Sequence, residues 1–287
     1  MTWQPLPFRS QEPLTSQPYD LWVSPNGAGQ AEFHRTPEGH LIRFPGQADF
    51  LIEHADQQAK TAIRGWPASD GAARAAETLY HNAILPIVGN HQGGLFLHGS
   101  AVELGHGADR CAIAFLGLSR SGKTTLAGAF AKAGYRFLTE DVIDLRIELG
   151  TYWLQPKRST LRLFADSAAY LLGRTASSNM DEKHEIEAGQ NLPFARDPAP
   201  LRQIYVLGED HSARTKIAKH SSQSSLAAIM PHAFVLDVED KERLNGHFVR
   251  MADLAEEIGC FTLDYPRQYS ELPGVIEAVL ANSEPRA

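Results

Sequence analysis

Cysteine is nearly absent: Cys111 and Cys260 are the only two in 287 residues. Neither belongs to a Cys-x-x-Cys pair, which argues against a disulfide framework and against a cysteine-built zinc site. Cys111 reads instead as a small apolar strand residue. Long apolar runs are missing too, and none approaches the ~18 residues that a membrane span needs. The opening Met-Thr-Trp-Gln-Pro-Leu-Pro has no basic segment followed by an apolar one, so no secretory signal is expected. Basic charge is also short. The net charge of −7 speaks against a nucleic-acid backbone as partner. These absences together lead to the expectation of a cytoplasmic protein with no membrane and no nucleic acid among its partners. They leave a homo-oligomer open.

The rest of the composition is ordinary for a globular chain, with 43% hydrophobic and 21% charged residues, enough to bury a core. The most informative stretch runs from Gly117 to Thr125, Gly-Leu-Ser-Arg-Ser-Gly-Lys-Thr-Thr. It fits G-x-x-x-x-G-K-[ST] at Gly117, Gly122, Lys123 and Thr124. Glycines at those two positions let the backbone wrap a phosphate chain, and the loop N–H groups then point at anionic oxygens. Lys123 reaches the β- and γ-phosphates, and the Thr124 hydroxyl can ligate Mg²⁺. The expected nucleotide contacts are Gly117, Ser119, Arg120, Ser121, Gly122, Lys123, Thr124 and Thr125, although Ser119, Arg120 and Ser121 occupy free positions of the pattern. The alternative is a glycine turn with an exposed lysine. The flanks favour the loop: Cys111–Leu116 reads as a strand, and 124–133 as a helix stopped by Gly134, whose N-terminus would face the phosphates.

Phosphoryl transfer needs carboxylates as well as a cradle. Glu140-Asp141 lies within a predicted strand over 135–147 that carries three acids. Adjacent strand residues point to opposite faces, so both reach one site only at a bulge or a strand end. Two acids this close should repel, and the one kept protonated would suit proton abstraction. The other reading is a polar strand start. His98 lies on the hairpin partner of the loop's strand and could approach the γ-phosphate, although a lone strand histidine is more often structural. Arg158, Arg162 and Lys183 are candidate cations for the migrating group, or solvated surface charges.

The remaining chain falls into two parts, residues 1–90 and 91–287. Residues 1–18 carry four prolines and read as an irregular lead-in. Short strands with Pro/Gly turns between Tyr19 and Gly65 predict a small antiparallel sheet. A helix follows over 70–88, kinked or ended at Pro86. Residues 157–162 read as a basic turn, and 174–200 as a mobile loop with a brief strand near Lys183. Strands are expected near 201–207, 215–218 and 260–263, and helices at 166–172, 224–230, 241–259 and 272–282.

Three motifs in this order, Phe96-Leu-His-Gly-Ser-Ala-Val-Glu-Leu, the Phe115–Ala127 loop block and Gly134-Tyr-Arg-Phe-Leu-Thr-Glu-Asp-Val, resemble the catalytic domain of HPr kinase/phosphorylase. They look closest to the related serine kinases found with lasso-peptide biosynthesis genes. The resemblance is concentrated in residues 94–145. It implies an α/β fold of the HPr kinase and phosphoenolpyruvate carboxykinase type, a P-loop domain with a mixed sheet beside the small N-terminal β-rich domain. It also implies ATP and Mg²⁺ as cofactors and a serine hydroxyl as acceptor. By position, His98 matches the family's active-site histidine, and Lys123 and Thr124 match its phosphate and metal contacts. Glu140-Asp141 stands where HPr kinases have Asp-Asp, with Asp141 as a metal ligand and either acid as base. The Glu-x-Arg-Gly-Leu-Gly segment of HPr kinases is replaced by Pro156-Lys-Arg-Ser-Thr-Leu-Arg, which argues against HPr as substrate and leaves phosphorylase activity unsupported. The reading is a serine kinase of a precursor peptide, with its C-terminal Ser as acceptor. The rivals are a kinase of a small hydroxylated metabolite and a nucleotide-binding switch without transfer.

Overall fold

The computed structural model describes residues 3–23, 29–54, 61–173 and 183–283. The chain divides into two compact units, one of residues 1–92 with 235–244, the other of 93–234 with 245–287. No helix among the described residues is long and apolar enough to cross a membrane.

The first unit is built on a six-stranded sheet. Its strands are β1 (Trp3–Pro5), β2 (Asp20–Val23), β3 (Gly29–Thr36), β4 (Gly39–Phe44), β5 (Ala48–Glu53) and β6 (Ile63–Pro67), in the order β1-β6-β5-β4-β3-β2. All pairings are antiparallel except β1 with β6. The proline-rich lead-in is therefore not wholly irregular, since Trp3–Pro5 adds an edge strand. Phe33, Ile42, Phe50 and Ile52 form the fully buried centre of this unit.

The helix predicted over 70–88 is observed in pieces, with α1 (Ala73–Leu79), a π turn (Tyr80–Ile84) and α2 (Leu85–His91). Pro86 sits just inside α2. A proline there lacks an N–H and crowds the carbonyl four residues back. The π turn absorbs the conflict by shifting the ladder to i−5, so that the Leu85 N–H donates to the Tyr80 carbonyl. The chain passes Pro86 without stopping.

The second unit holds a mixed sheet. Its strands are β7 (Leu95–Leu104), β8 (Cys111–Leu116), β9 (Arg136–Thr139), β10 (Val142–Glu148), β11 (Thr151–Leu154), β14 (Ala199–Leu207), β15 (Lys216–Lys219) and β16 (Gly259–Asp264). Between β11 and β14 lies a separate two-stranded ribbon of β12 (Thr160–Phe164) and β13 (Lys183–Glu187). The main order is β11-β10-β7-β8-β14-β16-β15, with β9 also on β7. Strands β8, β14 and β16 run parallel, and β7 is antiparallel to β8. Helices α3 (Lys123–Lys132), α4 (Ala165–Leu172), α5 (Ser222–Ile229), α6 (Lys241–Glu257) and α7 (Leu272–Ser283) complete the chain.

Strand β8 is buried along its whole length, which explains its unbroken apolar run. Ile113 and Phe115 pack with Leu126 and Phe130 of α3 and with Val275 and Val279 of α7. Ala112, Ala114 and Leu116 pack on the other face with Ile229, Met251 and Leu254. At the end of α3, Gly134 takes φ +99°. The Gly134 N–H donates to the Ala131 carbonyl and the Tyr135 N–H to the Phe130 carbonyl, each at 3.0 Å. This paired closure is what stops the helix.

Candidate active site

Strand β11 also pairs with β14 and closes the β11-β10-β7-β8-β14 path on itself, but β8, β14 and β16 remain parallel, and ligands of α/β sheets bind beyond the carboxyl ends of such strands. Strand β8 ends there at Leu116, and Gly117–Gly122 connects it to α3. Gly117 has φ +152°, and an added Cβ would lie 2.7 Å from Ser121 Oγ and 3.2 Å from Leu207 Cβ. No larger residue fits that corner. Arg120 at φ 64° and Gly122 at φ 94° turn the chain back on itself, and the Ser121 N–H donates to the Leu118 carbonyl. Lys123 is buried, and its ammonium donates to the carbonyls of Gly117 and Leu118 at 2.8 Å each. The lysine therefore curls over its own loop. Burial pushes it down to about 8, with Asp141 acting the other way. Ser121 Oγ is shut off from water without a hydrogen-bond partner among the described residues. Thr124 is half-buried at the start of α3, while Ser119 and Arg120 are exposed.

The hairpin partner β7 explains the His-Gly-Ser sequence. Gly99 pairs with Leu116, which places His98 beside the first loop residue. A Cβ on Gly99 would come within 2.6 Å of Ile143 and 2.7 Å of Leu116, so the strand passes there only as glycine. The Ser100 hydroxyl donates to the Lys123 carbonyl at 2.9 Å and ties β7 to the start of α3. Burial, then the charge of Lys123, pushes His98 down to about 4, while Asp141 pulls the other way.

The single strand expected over 135–147 is broken. Strand β9 pairs with Ala101–Glu103 of β7, and β10 with Leu95–His98 of the same strand. The chain buckles between them at Glu140-Asp141, where the Gly99 N–H donates to the Asp141 carbonyl. Thr139 spans the break, its hydroxyl donating to the Val142 carbonyl at 2.8 Å. Alternation ends at the buckle, so both acids turn to one place, and Arg162 meets both. Its backbone N–H donates to Glu140 Oε2 at 2.7 Å, its Nε donates to Glu140 Oε1 at 2.9 Å, and its Nη2 donates to Asp141 Oδ2. Both carboxylates are about 7% exposed.

Two acids share one arginine, and the charge does not balance. Burial and then the Asp141 charge push Glu140 well above the usual carboxylate range. Burial works to raise Asp141 too, but the Arg162 charge above all, with Lys183, overcomes it and holds Asp141 low. The environment separates the pair into an ionised aspartate and a more basic glutamate.

Arg162 lies in β12 and not in a turn, with Leu161 and Leu163 buried on either side of it. Lys183 opens β13 opposite Phe164, and its ammonium stands 5.5 Å from that ring. The guanidinium of Arg120 lies 5.2 Å from the same ring. Arg158 pairs instead with Glu185 at 3.3 Å. Of the expected mobile loop, residues 174–182 lie outside the described residues, while 183–187 is strand.

Two contributors escaped the sequence reading. Ser100 served there only as a neighbour of His98. His232, on a 3₁₀ turn at Met230–His232, is buried, and burial, Lys123 and His98 push it down to about 4. The bridge between Leu97 and Ala233, and the Phe234 ring 6.2 Å from His98, bring this turn to the site. Its Met-Pro-His-Ala-Phe carries no motif that could have announced it.

Among the described residues, no three or more His, Cys, Asp or Glu side chains are grouped to hold a metal ion.

No protein-family model matches the chain, and no curated protein does. Among solved structures, the HPr(Ser) kinase/phosphatase from Coxiella burnetii aligns over 66% of this chain and 95% of that one, with 12% identity and a TM-score of 0.38. A superposition that loose carries no argument about chemistry.

Proposed function

We propose that the protein is an ATP-dependent serine kinase of the HPr kinase-like kind. The observation that carries this reading is the buckle at Glu140-Asp141. It turns two acids of unequal basicity toward one place, close enough for Asp141 to act on the buried Lys123. The 117–124 loop and the first N–H groups of α3 hold the triphosphate, and Lys123 leaves its two carbonyls to meet the β- and γ-phosphates. Thr124 and Asp141 would hold Mg²⁺, which when bound supplies charge neutralisation on the phosphates. Glu140, the more basic acid, accepts the proton of the acceptor hydroxyl as that oxygen bonds to the γ-phosphorus. The bond to the β-γ bridging oxygen breaks, and ADP leaves. Arg162 and Lys183 offset the charge that spreads over the migrating group. His98, neutral at pH 7, orients groups by hydrogen bonding and not by charge.

The acceptor in this reading is the C-terminal Ser of a lasso-peptide precursor, which rests on the motif resemblance alone. The test is incubation with ATP, Mg²⁺ and peptides ending in Ser, read as a mass gain of one phosphate, with Lys123→Ala, Glu140→Ala and Asp141→Ala as controls. Phosphate on a small alcohol and on no peptide would replace the acceptor. ATP binding with transfer to nothing would reduce the protein to a nucleotide-dependent switch.

A further inference from the structure

The loop that leaves β16 runs alongside the phosphate loop, and its polar groups are incompletely paired. A Cβ on Gly122 would meet the Tyr265 hydroxyl at 3.4 Å. The Arg267 guanidinium lies 3.9 Å from the Tyr265 ring centroid, and one of its nitrogens donates to the Gly208 carbonyl at the exit of β14. Its Nε and Nη1 are shut off from water and make no hydrogen bond among the described residues, although the guanidinium acts on the Tyr265 hydroxyl and on the Asp264 carboxylate. Asp264 accepts from the Ser212 N–H through Oδ2, while its Oδ1 is buried and unpaired. Further along, the Tyr269 hydroxyl lies 3.0 Å from Ser167 Oγ, which lies 3.0 Å from Thr125 Oγ1. Tyr269 also stacks on Tyr170, with centroids 4.8 Å apart.

Thr125 follows the Thr124 assigned to Mg²⁺, and the chain of hydroxyls from Thr125 through Ser167 to Tyr269 leads away from the loop beyond that residue. Unpaired buried donors and acceptors are rare in folded proteins and call for a ligand or a water. Here the two donors and the acceptor belong to side chains of opposite charge. A further phosphate would be repelled by the free Asp264 oxygen, whereas an uncharged sugar or base edge offers both donors and acceptors. We propose that Asp264, Arg267 and Tyr269 form the nucleoside end of the nucleotide site, with Arg267 as its main specificity residue. This rests on the kinase reading of the phosphate loop.

Calorimetry on the full chain with Mg²⁺ tests it, using the non-hydrolysable β,γ-imido analogue of ATP against inorganic tripolyphosphate. The wild type should bind the nucleotide at least tenfold more tightly than tripolyphosphate. Arg267→Gln should remove most of that margin and leave tripolyphosphate binding within about twofold. Arg267→Lys keeps the charge but not the planar fork, and should behave the same way. It stands in if the Gln variant does not fold. Equal binding of the two ligands by the wild type overturns the inference and leaves the kinase reading standing. So does a substitution that weakens both ligands alike, or neither. Binding of neither ligand by the wild type overturns both.

Discussion

The two units each set an arginine against buried carboxylate, and the two arrangements differ in arithmetic. In the first, Arg43 grips Asp49 with two parallel bonds of 2.9 Å. Gln11 donates to the same carboxylate at 2.7 Å, and the remaining Arg43 nitrogen donates to the Glu12 carbonyl. Two cations meet one anion, since Arg9 also lies 3.5 Å from Asp49, and the surplus lone pairs and N–H groups have partners. In the second, Arg162 answers to Glu140 and Asp141 together. One cation meets two anions, and the surplus charge drives Glu140 upward and draws on Lys183. A closed pair of the first kind holds a fold together. An over-subscribed one keeps a reactive group ready, because charge that is not cancelled inside the protein can be answered by a ligand.

The sharpest way to break the comparison is to neutralise one acid on each side. Asp141→Asn should cut phosphoryl transfer by about 10³-fold or more while the protein stays folded. Asp49→Asn should leave transfer per folded molecule unchanged and cost about 3–5 kcal/mol of stability, since it strands a buried arginine. Transfer assays and urea unfolding on both variants would show the opposite pattern if the two clusters had been misassigned.

Lys123→Ala should come next, with a loss of about 10²–10³-fold in kcat/KM for ATP. Arg162→Met should then act on basicity. Without its cation both acids rise, so the ascending limb of the pH–rate profile should move to higher pH, with about a tenfold loss at pH 7. Arg43→Met should leave that limb in place. A profile unmoved by Arg162→Met would mean that the acid pair does not carry the proton.

Smaller effects follow from pH alone. Lys123 is cationic below about 8, so kcat/KM for ATP should fall above that pH, by up to tenfold per unit. His98 and His232 are each lowered to about 4, below the ~6.5 of an unfolded histidine. Unfolded chains therefore bind more protons between those values. Stability from this source is complete above about 6.5 and drains away as pH falls toward 4. His232→Gln should flatten the dependence in thermal melts taken from pH 7 to pH 5 by no more than roughly a third, since His91 is lowered to about 4 as well.

How much was legible varies along the chain for physical reasons. The strand–loop–helix from Cys111 to Lys132 could be read directly, because its glycines, apolar run and cap are local constraints on the backbone. The buckle at Glu140-Asp141 could not, because alternation runs straight through it on paper. What breaks the strand is β7, which takes β9 at one end and β10 at the other. Arg162 was readable in part: Leu-Arg-Leu is a strand alternation, although its basic neighbours suggested a turn. The lead-in strand Trp3–Pro5 was hidden by its prolines, which an edge position tolerates. His232 belongs to no motif, and distant pairing alone brings it beside His98.

The linear chain by itself determined that a glycine-framed loop closes between a buried strand and a helix, since steric limits on φ and ψ act over a few residues. It also determined that acids, a histidine and cations lie within reach of that loop along the chain. Only the tertiary structure decided which of them meet. Burial and unequal partners then separate Glu140 from Asp141, because a charge answers to whatever lies within a few ångströms and not to its neighbours in the sequence.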